Sequence, residues 1–510
     1  MPETRTGRPT VGTADVVVVG AGPAGLAAAA AALDAGAEVV LVDGEARPGG
    51  QYWRHGPGGL ARDRAGAGSY AQLVAAPGAR GDRLTRLPGH RVWRVDAVPG
   101  DDGTGDGGVG IAAVVHAVRG GPGREEPATL HARALVLAPG AHDRVLPFPG
   151  WDLPGVVTAG AAQAMLEEHG VPVGKRVVVA GTGPFLLPVA AGLARHARPP
   201  VAVLEAGDGR GWMRGPAVLA RSPGRVGEGA RHLAVLARHG VRLRLRHAVV
   251  AAHGTDRVEA VTIARLDPRW RVVPGSLRRL SCDAAAVGWG FTGRLDLPLQ
   301  AGCAAEPGPD GELRVAVDVW GRTSVPGVLA AGEVTGVGGA ALAVQEGSLA
   351  GQAAAAHAGG RRLGLPLSRQ AREVQRLRAF AALVQSAHPV RPGWQTWLDD
   401  DTVVCRCEEV PLGDLRQAVL DLGATDARTA KLLTRCGMGW CQGRMCTRAV
   451  EDLVAGITGA AGPVGTAAGA ARPVAVPVSL GVVALGAEVI DPPAGTPAGH
   501  EHEEDTWTQR

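Results

Sequence analysis

Aromatic side chains make up only 3% of this 510-residue chain, and lysine is nearly absent. Lys175 and Lys431 are the only two, so arginine carries almost all of the positive charge, at a net +4. No Lys/Arg run, recognition helix or base-stacking motif accompanies that charge, which excludes nucleic-acid binding and leaves arginine filling solvated positions. Long hydrophobic runs are missing too. The longest, AGLAAAAAAL at 24–33, falls far short of the ~20 residues a membrane-spanning helix needs. The N-terminal MPETRTGRPTVGTAD has no apolar stretch of the signal-peptide kind, so a cytoplasmic protein is expected. Cysteine is rare and unevenly placed. None precedes Cys282, and five of the seven fall between 405 and 446. In a reducing compartment such cysteines are ligands or core residues, not a disulfide framework.

The length fits about three domains. Residues 14–43 read as strand (ADVVVVG), helix (AGPAGLAAAAAALDAG) and strand (AEVVLVD), and a second such unit starts at GKRVVVAG, 174–181, and ends at PVAVLEA, 200–206. Two βαβ units about 160 residues apart imply two doubly wound nucleotide-binding domains. Alternating apolar and small residues around VWRVDAV and GGVGIAAVVHAVRGG indicate an antiparallel insertion, and HARALVLAPGAHDR a strand returning to the first sheet. The expected segments are 14–155 and 281–358 for the first domain, 156–280 for the second, a helical connector over 359–402 and a cysteine-bearing module over 403–456. A low-complexity region and tail, 457–510, receive no function.

In GAGPAG, Gly20 permits the tight turn, Gly22 lets the backbone approach a pyrophosphate, and Gly25 allows close helix packing; Pro23 and Ala24 complete the motif. Asp43, at the end of the second strand, suits a ribose hydroxyl. In the second unit GTGPFL keeps Gly181 and Gly183, but Leu186 replaces the third small residue and is expected to push the helix away from the strand. Glu205 there suits a ribose, with NAD(P), ATP or no ligand as alternatives. The series GAGPAG, DGEARPGGQYWR, LAPGAHDRVLPFPG and SVPGVLAAGE resembles FAD-dependent oxidoreductases of the two-dinucleotide-domain, disulfide-reductase-like kind, over about residues 14–355. The resemblance implies FAD on Gly20 to Gly25, with Gly49, Gly50 and Gln51 near the flavin. It places Gly140 and Gly332 in the flanking motifs and Glu333 near the ribityl-phosphate region, where many relatives carry Asp. Having no early cysteine pair, the chain cannot perform disulfide-reductase chemistry. Cys282 and Cys303 read as buried small hydrophobes.

The cysteine module reads C-x-C-x28-C-x4-C-x4-C. Zinc sites generally pair C-x2–4-C knuckles, whereas C-x-C followed by a long gap resembles the [2Fe–2S] module of bacterioferritin-associated ferredoxin. Helical patterns in the gap put the cysteines on loops and at helix starts, where peptide N–H groups stabilise negative charge. In a module of about 50 residues, metal–thiolate bonds are expected to supply much of the stability. Five cysteines contest four ligand places. CRCEEV…TRCGMGWCQGRMC resembles the α subunits of opine oxidases and D-hydroxyproline dehydrogenases, which implies Cys405, Cys407, Cys441 and Cys446 as ligands and Cys436 as a neighbour. The residues alone leave Cys405, Cys407, Cys436 and Cys441 open as a second set.

The expected fold class is therefore α/β, with two Rossmann-like dinucleotide-binding domains and a small helical [2Fe–2S] domain. No base-and-nucleophile constellation is assignable, so catalytic residues stay unassigned. The resemblance implies an FAD- and [2Fe–2S]-containing electron-transfer subunit of a heteromeric dehydrogenase acting on an amine, imino acid or opine-type substrate. Its implied partners are a D-amino-acid-oxidase-like flavoprotein subunit, FMN shared with it, and an external electron acceptor. The alternatives are a self-contained NAD(P)H-dependent FAD/[2Fe–2S] reductase and a non-enzymatic nucleotide-sensing scaffold.

Overall fold

The computed structural model describes residues 10–56, 58–59, 67–78, 81–98, 110–121, 123–365, 368–460 and 472–487. The first sheet is built on β1 (Thr10–Val19), which pairs in parallel with β2 (Val39–Asp43) on one side. β3 (Leu84–Pro88) extends that side, and an antiparallel hairpin of β4 (His90–Ala97) and β5 (Ala113–Arg119) forms the far edge. β6 (Glu126–Leu137) lies beside β1 along its length. Its opposite edge is shared between β5 at the N-terminal half and Val328–Ala330 at the C-terminal half. Both faces of the central strands are buried, which accounts for their runs of valine and leucine.

The alanine and glycine surplus has a local cause. Helix α1 (Pro23–Asp34) packs against the helix Ala340–Ala358 backbone to backbone. A Cβ added at Gly347 or Gly351 would stand 2.1 Å from the carbonyl oxygen of Ala24 or Ala28. Small residues on both helices let the chain that follows Val328–Ala330 return to the start of α1.

The second domain has a five-stranded parallel sheet in the order Leu243–Leu245, Ala202–Glu205, Val177–Gly181, Ala284–Gly288, Val156–Thr158. A three-stranded antiparallel sheet, His247–His253, Ala260–Arg265 and Arg278–Ser281, follows. Two short antiparallel strands, Ala141–Asp143 and Phe291–Gly293, carry the chain between the domains. The cysteine module comprises a small hairpin and the helices Leu412–Leu420, Ala427–Thr434 and Thr447–Thr458.

The few aromatics concentrate where the module meets the second domain. Trp270 stacks on Trp397 at 6.4 Å and contacts Trp289 at 5.6 Å, with Trp394 fully buried beside them. These tryptophans share one core with Leu412, Leu415, Leu453 and Val454 of the module. The module's helices therefore bury their apolar faces against the larger domain, which adds to whatever stability metal binding supplies. Residues 472–487 return to the first domain, where Val474, Val476 and Val482 pack on Trp93 and Val118.

Candidate functional site

At the first glycine motif, elements converge so closely that only glycine fits. Gly20 adopts φ +100, and a Cβ there would meet the Ala138 carbonyl oxygen at 2.2 Å. At Gly25 it would stand 1.7 Å from the oxygen of Gly20. Gly50, at φ +56, brings the GGQYWR turn onto Gly22, where its Cβ would lie 2.8 Å from the Gly22 Cα. α1 starts at Pro23 directly after Gly22, with no side-chain cap and no acid in its first turn. Its leading N–H groups are thus free for an anion. Asp43 accepts from Ala21 N–H, and from Glu45 N–H at 2.7 Å; burial raises its pKa against these two bonds.

Gly332 sits against Ala24, with its N–H donating to the buried carboxylate of Glu346 at 3.1 Å. Thr335 and Arg378 also bond Glu346, at 2.9 and 3.0 Å. Glu346 thereby fixes the turn carrying Glu333, whose Oε1 accepts from Gly339 N–H at 2.7 Å at the start of helix Ala340–Ala358. Sequence reasoning missed Glu346; its one signal is a lone acid inside an alanine-rich helix. Gly140, at φ +79, lies at the hinge, its carbonyl accepting from Arg294 N–H at 2.9 Å. Gln51 is exposed and accepts from Arg54. So Gly20, Gly22, Pro23, Ala24, Gly25, Asp43, Gly50, Gly332 and Glu333 form one cradle, with Gly49 beneath it against Trp53.

Burial raises Glu333 from 4.5 to about 7, against the N–H groups of Gly339 and Gly338. The folded chain thus binds this proton more tightly than the unfolded chain. The resulting stabilisation is fully present below 4.5 and is lost as pH rises through about 7, a difference on the order of 3 kcal/mol. Glu333→Gln is expected to flatten the fall in thermal stability that the wild type shows between about pH 5 and pH 8, as read by melting curves.

At the second glycine motif the helix starts at Leu186, two residues after Pro184, whereas α1 starts at the equivalent proline. Leu186 is buried and faces Gly288, the small residue that makes room for it. Glu205 is engaged by its own surroundings. It accepts from Thr182 Oγ1 at 2.7 Å, Gly183 N–H at 2.9 Å and Gly207 N–H at 2.7 Å, and His388 Nδ1 lies 3.6 Å away. Burial would raise this carboxyl, but these partners, His388 foremost, hold it below the ordinary range. His388 is backed by Trp212 at 5.4 Å, so the connector covers the end of this strand.

The five clustered cysteines form two groups. Sγ atoms of Cys405, Cys436 and Cys446 lie within 4.8 Å of one another, buried, with Cys405 and Cys446 3.8 Å apart. Cys407 and Cys441 pair beside them, Cys407 exposed and Cys441 half-buried. Gly439 packs on Cys407, where a Cβ would meet that of Cys407 at 2.4 Å. Of the described non-glycine residues in the left-handed region, Glu409, Arg435 and Gln442 belong to these loops. Such backbone is tolerated where the surroundings over-determine it, and it wraps the loops tightly around the thiols. The Cys436 and Cys446 thiols and Gly437 N–H hold the Cys405 thiol low, while Cys436 and Cys446 are pushed up. Three buried thiols converging on one point are soft donors, and a metal lets more of them ionise, so the donor set fits a metal–thiolate centre.

Residues 14–358 match the pyridine nucleotide-disulphide oxidoreductase family, and residues 403–455 the BFD-like [2Fe-2S] binding domain. The chain belongs to the pyridine nucleotide-disulphide oxidoreductase family. It is 33% identical to the HcnB subunit of hydrogen cyanide synthase from Pseudomonas aeruginosa, over 87% of this chain and 93% of the relative. It is 32% identical to an opine oxidase subunit of Rhizobium meliloti, over 92% and 98%. L-proline dehydrogenase from P. horikoshii shares the fold, with TM-score 0.63 and 20% identity over 94% of this chain and 80% of that one. As a member of this family the chain is an FAD-dependent oxidoreductase, and its BFD-like domain implies a [2Fe–2S] cluster. No helix among the described residues is long and apolar enough to cross a membrane.

Proposed function

We propose that this chain is the electron-transfer subunit of a heteromeric dehydrogenase acting on an amine, imino acid or opine-type substrate. FAD and the cluster supply the electron-carrying chemistry when bound. The protein's part is to hold both groups in place and to present one of them at its surface. FAD would rest on Gly20 to Gly25, Asp43, Gly50 and Glu333, with Gly49, Gln51, Gly140 and Gly332 framing the cradle. The observation that carries the reading is the convergence of thiols, with Cys405, Cys436 and Cys446 in one buried trio and Cys407 beside Cys441. A [2Fe–2S] centre needs two protein ligands on each of two irons, and the trio and the pair together offer five thiols for those four places, of which we assign Cys405, Cys407, Cys441 and Cys446. Cys436, the third member of the trio, is then the spare. Cys436→Ser is expected to keep iron, sulfide and the visible spectrum at wild-type levels; loss of the cluster would move the assignment to Cys405, Cys407, Cys436 and Cys441.

The outer pair lies at the surface. Trp440, 75% exposed in a chain poor in aromatics, stands between Gly439 and Cys441. Large exposed aromatics of this kind anchor protein interfaces. The partner we infer is a D-amino-acid-oxidase-like flavoprotein subunit that oxidises the substrate, with FMN shared between the two and an external acceptor completing the path. Relatives named as subunits of an opine oxidase and of hydrogen cyanide synthase support a multi-subunit setting. Glu205, satisfied by its own loop and by His388, counts against the self-contained NAD(P)H reductase, and NAD(P) or ATP at Gly181, Gly183 and Glu205 would have to compete with those bonds. Two measurements test the reading together. Co-expression with a D-amino-acid-oxidase-like flavoprotein from the same cell should give one complex, and stopped-flow mixing with NADH or NADPH should leave the flavin oxidised. Rapid bleaching by either nucleotide, or full substrate turnover by the chain alone, would reverse it.

A further inference from the structure

The loop between Cys441 and Cys446 is tied to the flavin domain through the buried carboxylate of Asp296. Phe291–Gly293, the hinge strand, runs directly against the flavin-site turn: a Cβ at Gly293 would stand 3.1 Å from the carbonyl oxygen of Glu333. Three residues on, Asp296 opens a short helix and is buried. Its Oδ2 accepts from Arg444 Nη2 at 2.8 Å, and Arg444 is the arginine of CQGRMC. Arg472 Nε stands 4.0 Å from Asp296 Oδ1. Arg472 also donates to Thr447 Oγ1 at 3.3 Å, at the start of the helix that follows Cys446.

The same arginines belong to a strap. Beyond the module the chain returns to the first domain, where Ala475 N–H donates to Trp93 carbonyl at 2.7 Å and the Ala475 carbonyl accepts from Arg444. Gln300 bonds the Arg472 carbonyl at 3.0 Å and Val95 N–H at 3.2 Å. Arg444 is thus held from two sides, by the hinge through Asp296 and by the strap through Ala475. Beside them lies a cleft where Arg144 pairs with Glu312 and Asp452, each at 3.1 Å.

We propose that Asp296 is a positioning residue that locks the cluster loop to the flavin-site strand through Arg444, with Arg472 and the 472–487 strap as the second fastening. Removing the counter-charge of a mostly buried arginine, 16% exposed, is destabilising, and Arg444 lies in the loop that carries two of the proposed ligands. This inference rests on the electron-relay reading for its consequence, though not for its geometry. Electron tunnelling falls exponentially with separation, so a loosened loop slows exchange between the two centres without removing either.

The test uses the full chain with its flavin and cluster, as wild type, Asp296→Asn, Asp296→Glu and Arg472→Gln. Amide hydrogen exchange over 437–446 is expected to rise by roughly tenfold or more in Asp296→Asn, as for a segment shifted to local opening. It should rise less in Arg472→Gln and return toward wild type in Asp296→Glu. Flavin and iron content should stay at wild-type levels, and electron equilibration between photoreduced flavin and cluster should slow in the same order. Unchanged exchange in both Asp296→Asn and Arg472→Gln would overturn the assignment. A wild type that shows no flavin-to-cluster equilibration would bring down the relay reading, and the exchange data would still decide the role of Asp296.

Discussion

Cys405→Ser should yield a protein with its flavin and without its cluster. Cys405 belongs to both ligand sets the sequence allows, and its Sγ lies 3.8 Å from that of Cys446 and accepts from Gly437 N–H at 3.4 Å. Structural metal–thiolate centres contribute on the order of 10 kcal/mol or more, whereas closing the 33 residues between Cys407 and Cys441 costs roughly 3 kcal/mol. Losing one thiolate therefore removes most of what holds the loops together. The helices should remain docked, because Leu412, Leu415 and Leu453 share their core with Trp394 and Trp397. Iron and sulfide analysis should fall to background, flavin content should stay near wild type, and near-ultraviolet circular dichroism of the tryptophan seam should persist. A variant that keeps its full iron content would refute the ligand role.

Gly25→Ala produces the opposite failure, a chain that keeps its cluster and loses its flavin. The added methyl meets the carbonyl oxygen of Gly20 at 1.7 Å, and that obstacle is backbone. Overpacking of this kind costs about 1–3 kcal/mol, occasionally more. Here the helix start itself must retreat from the strand, so the N–H groups leave the pyrophosphate. The flavin-to-protein absorbance ratio should drop by about tenfold or more, the factor that about 1.4 kcal/mol produces. Gly224→Ala is the matched control, since a Cβ there meets nothing within 4 Å, and its flavin content should equal that of the wild type.

Much of this was legible in the residues themselves. GAGPAG between a valine-rich strand and an alanine-rich helix fixes the local turn, because the glycines answer contacts within a few residues or one strand away. The C-x-C and CQGRMC strings fix the kind of donor, thiolate, for the same reason. Which thiols meet depends on how three helices fold back on the hairpin, and spacing alone does not encode that, so Cys436 and Cys446 remained interchangeable. The tryptophan seam is invisible locally: Trp270 and Trp397 are distant in sequence and meet only because the module docks on the second domain. Asp296 and Arg472 escape for the same reason. Nothing near Asp296 marks it as the partner of an arginine about 150 residues later, and the valines from 474 onward sit in a tail that composition marks as low in complexity.

Iron, sulfide and flavin analysis of the anaerobically purified chain, with absorbance and electron paramagnetic resonance before and after reduction, tests the central claim most directly. An electron-transfer subunit of this kind should hold one FAD, with iron and acid-labile sulfide in equal amounts, and a paramagnetic signal should appear on one-electron reduction of the cluster. Stoichiometric zinc without sulfide, or a chain without flavin, would contradict it.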